Sequence, residues 1–92
     1  MKTGATLEQH LDLVEALLAE QTTDMVRRKR EFVRASEAVS KMHTALDFQA
    51  AAEERMRAAL RLVRAREAWH GINAEAGRTR MAIIEREGRK FT

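Results

Sequence analysis

Glu67 and His70 stand three residues apart in a stretch with helical composition. On a helix that spacing sets a carboxylate and an imidazole on one face, as in the Glu-x-x-His pairs of carboxylate-bridged di-metal bundles. Such a site also needs an inward glutamate at the same level of a facing helix. A fold-back would bring Gln21, Asp24 and Met25 there, and none of them fits, so no metal or other cofactor is expected. Ser40, His43 and Asp47 follow at i, i+3 and i+7 in the order nucleophile, base and orienter. Near a helix end they would be splayed over more than ~10 Å at ~1.5 Å per residue. A working triad needs a pocket and an oxyanion site, and no Gly-rich loop or strand-to-helix elbow is present to build one. Capping and turn roles are expected for these residues, and no catalytic residue is assigned.

The run Arg27, Arg28, Lys29 and Arg30 offers a different chemistry, because clustered bases release counterions from a polyanion. The competing reading is a solvated helix face with one stem lying over the core. No helix-turn-helix punctuation accompanies the run, so any nucleic-acid contact would be to the backbone and not to base edges.

These groups must be carried by helices. Ala, Leu, Glu and Arg dominate the 92 residues, Pro and Cys are absent, and there are four glycines and one tryptophan. Such composition favours long helices and excludes disulfide frameworks and thiolate zinc sites. Glu8, Asp12 and Glu15 interrupt the first apolar stretch, which argues against a signal peptide or a membrane span. A cytoplasmic location with no membrane partner is the expectation.

Thr6 and Gln9 match a capping box, so a helix is expected to begin there. From Leu7 a 3-4 spacing selects Leu7, Leu11, Val14, Leu18, Gln21, Met25, Arg28, Phe32, Ala35, Val39, Met42 and Leu46, ten of the twelve apolar. That is a heptad seam. Continued in register through Gln49, Glu53, Met56, Leu60, Val63, Glu67, His70, Ala74, Gly77, Met81, Ile84, Gly88 and Phe91, the pattern drops to seven of thirteen. The phase is lost just after Leu46, where Thr44 and Asp47 are cap-like residues. A reversal is expected between Thr44 and Phe48, with one unbroken helix of about 65 residues and ~100 Å as the rival.

Gly71 and Gly77 flank Asn73 and predict that the second arm ends, kinks or restarts there. The expected fold is therefore all-α, a single antiparallel helical hairpin, coiled-coil-like. Its arms span about 6–45 and 47–70, a broken segment follows over 73–88, and the ends fray. Charge supports the fold-back. Residues 1–24 carry five acids against Lys2, whereas residues 71–92 carry five bases against three acids. An antiparallel hairpin sets these ends side by side, which selects topology more than it adds stability. It also gathers Arg27, Arg28, Lys29, Arg30 and Arg34 beside Arg57, Arg61, Arg64 and Arg66 as a basic belt, diluted by Glu31, Glu37, Glu53, Glu54 and Glu67.

Two short segments resemble known helical hairpins. Trp69-His70-Gly71 is similar to the Trp-x-Gly tripeptide of the small helical-hairpin substrates of type VII secretion. In that family the tripeptide sits at a mid-chain turn and a C-terminal motif begins with Tyr. Here it lies well into the second half, and no Tyr is present. Leu46-Asp47-Phe48-Gln49 with Ala51, Ala52 and Arg55 resembles about ten residues of the UVR helical hairpin, a protein-contact element of nucleotide-excision-repair proteins. Glu54 and Met56 depart from that pattern, so the resemblance implies a turn at this place and no more.

A lone hairpin leaves Leu13, Leu17, Val26, Val33, Leu62 and Ile83 without cover, and dimerisation into a four-helix bundle would supply it. Self-association is expected through the seam that includes Leu11, Leu18, Phe32, Val39 and Leu60. The expected function is non-enzymatic: an assembly, adaptor or chaperone-like protein that presents helical surfaces to a protein partner. The alternative is an accessory nucleic-acid-binding protein that uses the basic belt.

Overall fold

The computed structural model describes residues 6–90 of the chain. They form two helices, α1 (Leu7–Ser40) and α2 (Ala45–Arg89), packed along each other as an antiparallel hairpin with no strand among the described residues. Lys2 and Phe91 lie outside this range.

Helix α1 begins where its cap chemistry dictates. The Gln9 N–H donates to Thr6 Oγ1 at 3.1 Å, and the Thr6 N–H donates back to Gln9 Oε1 at 3.0 Å, so two otherwise unpaired amides are satisfied reciprocally. At its far end Lys41 and Met42 donate to Ala38 and Val39, and the Ser40 hydroxyl donates to the Glu37 carbonyl at 2.7 Å. Helix α2 starts from Thr44, whose Oγ1 accepts from the Asp47 N–H at 3.1 Å and donates to Asp47 Oδ2 at 2.7 Å. Because Thr44 acts as the cap, the chain reverses at residues 41–44, a few residues before the Thr44 to Phe48 turn that loss of phase predicts.

The break expected at Gly71 and Gly77 is absent, and α2 runs through both. No glycine among the described residues has positive φ. A mid-helix glycine costs only about 1 kcal/mol relative to Ala. Interhelix contacts of Trp69, together with buried Ala76 and Thr79, hold the helix against α1 on either side of the glycines.

The seam read from α1 is the one that packs. Leu7, Leu11, Val14, Leu18, Gln21, Met25, Arg28, Phe32, Ala35 and Val39 are all buried or half-buried. In α2 the stripe that packs on them is Ala58, Leu62, Ala65, Trp69, Ile72, Ala76, Thr79, Ile83 and Arg86, all buried or half-buried. Each lies two places beyond the position reached by continuing the α1 register, because the four-residue connection restarts the phase. Leu62 (6% exposed) and half-buried Ile83 therefore face α1, contrary to the outward placement expected of them, while Leu60 stands outward at 50% exposure. The α2 side of the seam mixes small residues, Ala58, Ala65, Ala76 and Thr79, with the larger Leu62, Trp69, Ile72, Ile83 and Arg86.

The hairpin measures 70 × 29 × 14 Å. A helix with side chains is about 10–12 Å across, so the protein is a ribbon one helix thick. Both of its broad faces are open.

Candidate functional site

Residues on either side of a heptad seam fall on opposite faces of such a ribbon. Near mid-hairpin the two faces differ in chemistry. On one of them Phe32 and Val33 from α1 and Ala59, Leu62 and Val63 from α2 line an apolar groove of about 330 Å³, with Lys29 and Arg66 at its rim. The groove continues toward the turn into a second hollow of about 420 Å³ lined by Phe32, Ala52, Arg55, Met56 and Ala59. The Arg55 guanidinium lies 5.9 Å from the centre of the Phe32 ring, within cation-π range. Along α1, Val26, Val33, Lys29, Arg30, Arg34 and Glu37 form the outer flank. Val33, Met56 and Val63 are 46%, 67% and 47% exposed, far more than residues whose apolar surface is already covered.

The other face is an ion-pair lattice. Arg28 reaches Glu31 at 3.2 Å and Asp24 at 3.5 Å, and Arg61 crosses the seam to Glu31 at 3.6 Å while holding Glu54 at 2.9 Å. Arg57 binds the second oxygen of Glu54 at 3.0 Å, and Arg27 pairs with Asp24 at 2.6 Å. Hydrogen bonds from Arg61 and then Arg57 hold the Glu54 carboxyl below the usual glutamate range, and Glu54 in turn raises Arg61.

The nine bases of the belt thus divide. Arg27, Arg28, Arg57 and Arg61 have carboxylate partners on the lattice face. Lys29, Arg30, Arg34, Arg64 and Arg66 make no ion pair among the described residues; Lys29 and Arg66 rim the groove, and Arg64 lies beside Arg61 and Gln21 on the lattice face. Of the residues expected to carry self-association, Leu11, Leu18, Phe32 and Val39 lie in the contact between the chain's own helices, and Leu60 stands outside it.

The open end is cross-linked by contacts that charge counting anticipated only in sum. His10 Nε2 lies 3.0 Å from Glu75, Arg80 lies 3.7 Å from Glu15, and Arg86 pairs with Glu8. Arg78 and then His10 lower the Glu75 carboxyl, and Arg86 lowers that of Glu8. Nearer mid-hairpin the Gln21 amide donates to the Ala65 carbonyl at 3.2 Å, and the Trp69 indole N–H donates to Thr22 Oγ1 at 2.8 Å. Trp69 also meets the His70 ring edge-on at 5.2 Å.

Glu67 and His70 are exposed, and among the described residues no three His, Asp or Glu side chains converge on a point that could hold a metal ion. Ser40 and Asp47 are engaged in helix-end hydrogen bonds, and His43 is exposed in the connection between the helices. No described helix is long and apolar enough to cross a membrane. The apolar groove escaped sequence reading. The signal for it is the set Met56, Ala59 and Val63, apolar at helical spacing beside the seam, which becomes readable only once the α2 register is known.

No protein-family model, curated protein or solved structure matches this chain.

Proposed function

We propose that this chain is a non-enzymatic interaction protein, an assembly, adaptor or chaperone-like factor, and that it engages a protein partner through the groove face. One observation carries the reading: Val33, Met56 and Val63 remain largely exposed around a continuous apolar groove on a ribbon one helix thick. The accessible surface supports it. The chain exposes 7111 Å², whereas a compact monomer of its mass exposes about 5,400 Å². The excess, roughly 1,700 Å², is about twice the ~800 Å² that each partner buries in a standard protein interface. A second hairpin or a helix from another protein laid along the groove would cover part of it.

A second reading rests on Lys29, Arg30, Arg34, Arg64 and Arg66, which make no ion pair among the described residues: an accessory role in which these bases contact a nucleic-acid backbone. A photo-crosslinking residue placed at Val63, and separately at Arg64, tests both in the source cell. Protein adducts at Val63 that exceed those at Arg64 are expected. Equal yields at both positions, or adducts confined to nucleic acid, would reject the groove as a protein-docking face.

A further inference from the structure

We infer that the occupant of the groove is an acidic amphipathic helix of another protein, about two heptads long. The inference rests on the protein-docking reading above and adds the chemistry of the partner. The groove runs from Ala52 to Arg66, which at ~1.5 Å per residue is about 21 Å of helix, room for some fourteen residues. Its floor is apolar, made by Phe32, Ala59 and Val63 among others, and suits a stripe of Leu-like side chains at 3-4 spacing.

The rim is cationic. Lys29 and Arg66 border the groove on opposite helices and make no ion pair among the described residues, and Arg55 joins them toward the turn. Glu37 on the outer flank of α1 and exposed Glu67, one helical turn beyond Val63 on α2, are the acids near them. The contrast with the opposite face is informative. There Asp24, Glu31 and Glu54 pair Arg27, Arg28, Arg57 and Arg61, with Arg34 and Arg64 making no ion pair among the described residues, so the chain supplies most of the counter-charge on that face and none to Lys29 and Arg66 at the groove.

A second copy suits this groove poorly. A two-fold dimer centred on Val63 would bring Lys29 and Arg66 of both copies toward one another, and like charges at an interface disfavour association. A polyanion such as duplex nucleic acid would match the rim but would leave the apolar floor uncovered.

The test uses the full chain and synthetic helices of eighteen residues that carry Leu at the seam positions and a fluorophore. One has Glu at the flanking positions, one has Lys there, and a third keeps Glu but replaces every Leu with Ser. Fluorescence anisotropy should show the Glu-Leu helix binding at least about tenfold more tightly than either other helix, with affinity falling as salt is added. Val63→Ser should weaken that binding. Lys29→Glu with Arg66→Glu should reverse the preference toward the Lys helix, and these exposed side chains lie outside the seam, so circular dichroism should stay that of the parent. Equal binding of the Glu-Leu and Lys-Leu helices, no binding of any, or binding that survives both sets of substitutions would overturn the inference. So would a stable dimer in sedimentation equilibrium that Val63→Ser dissociates, or generic duplex that displaces the Glu-Leu helix from the parent and from Val63→Ser alike. Val63 crosslinks to protein that persist in the Lys29→Glu, Arg66→Glu chain would reject the acidic partner while leaving the docking face standing.

Discussion

Replacing Gly71 and Gly77 together by Ala should stabilise this protein, and the size of the effect follows from the backbone. Both glycines sit inside α2 with ordinary helical φ, so Ala adopts their conformation without strain. A methyl group built at either position meets nothing within 4 Å, so no packing cost opposes it. What remains is the conformational entropy that a glycine loses when it is held in a helix, about 0.5 to 1 kcal/mol per site relative to Ala. The two positions are about 9 Å apart along the axis at ~1.5 Å per residue, far enough for their effects to add. The double variant should therefore gain roughly 1 to 2 kcal/mol. For a chain of this size that is a rise of roughly 5 to 15 °C in Tm. Thermal melts followed by far-UV circular dichroism, at one fixed protein concentration, measure it directly. A helix broken at these glycines, with one of them in the left-handed region, would instead lose stability on substitution. An unchanged or lowered Tm in the double variant would refute the continuous helix and the entropy argument together.

The α2 register is tested by a neighbouring pair: Leu62→Ala should cost about 2 to 4 kcal/mol in urea unfolding because Leu62 is 6% exposed, whereas Leu60→Ala, at 50% exposure, should cost less than about 1 kcal/mol. Comparable losses at both would mean that the seam is misplaced. Trp69→Phe removes the indole hydrogen bond to Thr22 and should cost about 1 kcal/mol or less; a smaller loss in a Thr22→Val background would show the two groups to be coupled, and an undiminished loss there would count against the bond. Arginine and lysine partners hold Glu8, Glu54, Glu75 and Glu87 below the ordinary glutamate range in the folded state. The unfolded chain thus binds more protons on acidification, and the stability these groups contribute is present above the ordinary glutamate value and lost as pH falls through their lowered folded values. Melts taken from neutral pH downward should show a falling Tm across that range, and a Tm that holds or rises would contradict the pairings.

Much of the architecture is local physics written in the residues. Thr6 with Gln9, and Thr44 with Asp47, announce both helix starts because a hydroxyl three residues before a free amide caps it whatever the rest of the chain does. The α1 seam from Leu7 to Val39 is legible because large apolar residues at 3-4 spacing alternate with charged ones, and the opposite charge of the two chain ends favours an antiparallel arrangement. The resemblance of the Leu46 region to a known hairpin agrees with a reversal there, a few residues late. The register of α2 was not legible. Alanine favours helix at any position and is at home both inside and on the surface, so Ala58, Ala65 and Ala76 in the seam look no different from Ala68 or Ala74 outside it. Gly71 and Gly77 misled for a related reason: their helical penalty is a local quantity, and it is outweighed by packing against α1 that a single strand of sequence does not display.

The split of the basic belt into two faces belongs to tertiary structure, although most of its ion pairs do not. Arg27 and Arg28 with Asp24, Arg28 with Glu31, and Arg57 and Arg61 with Glu54 are pairs within one helix, set by local spacing. Only when α2 is laid against α1 with its phase set by Leu62 and Trp69 does Arg61 also reach Glu31, so that the two sets share one face. The same rotation leaves Lys29 and Arg66 beside an apolar groove on the other. A rotation of α2 by two residues, about 200° around its axis at 3.6 residues per turn, would send Leu60 inward and Leu62 outward and erase that groove. Composition and spacing therefore determined that this chain would be a long helical hairpin, while the phase of one helix against the other decided which surface it offers.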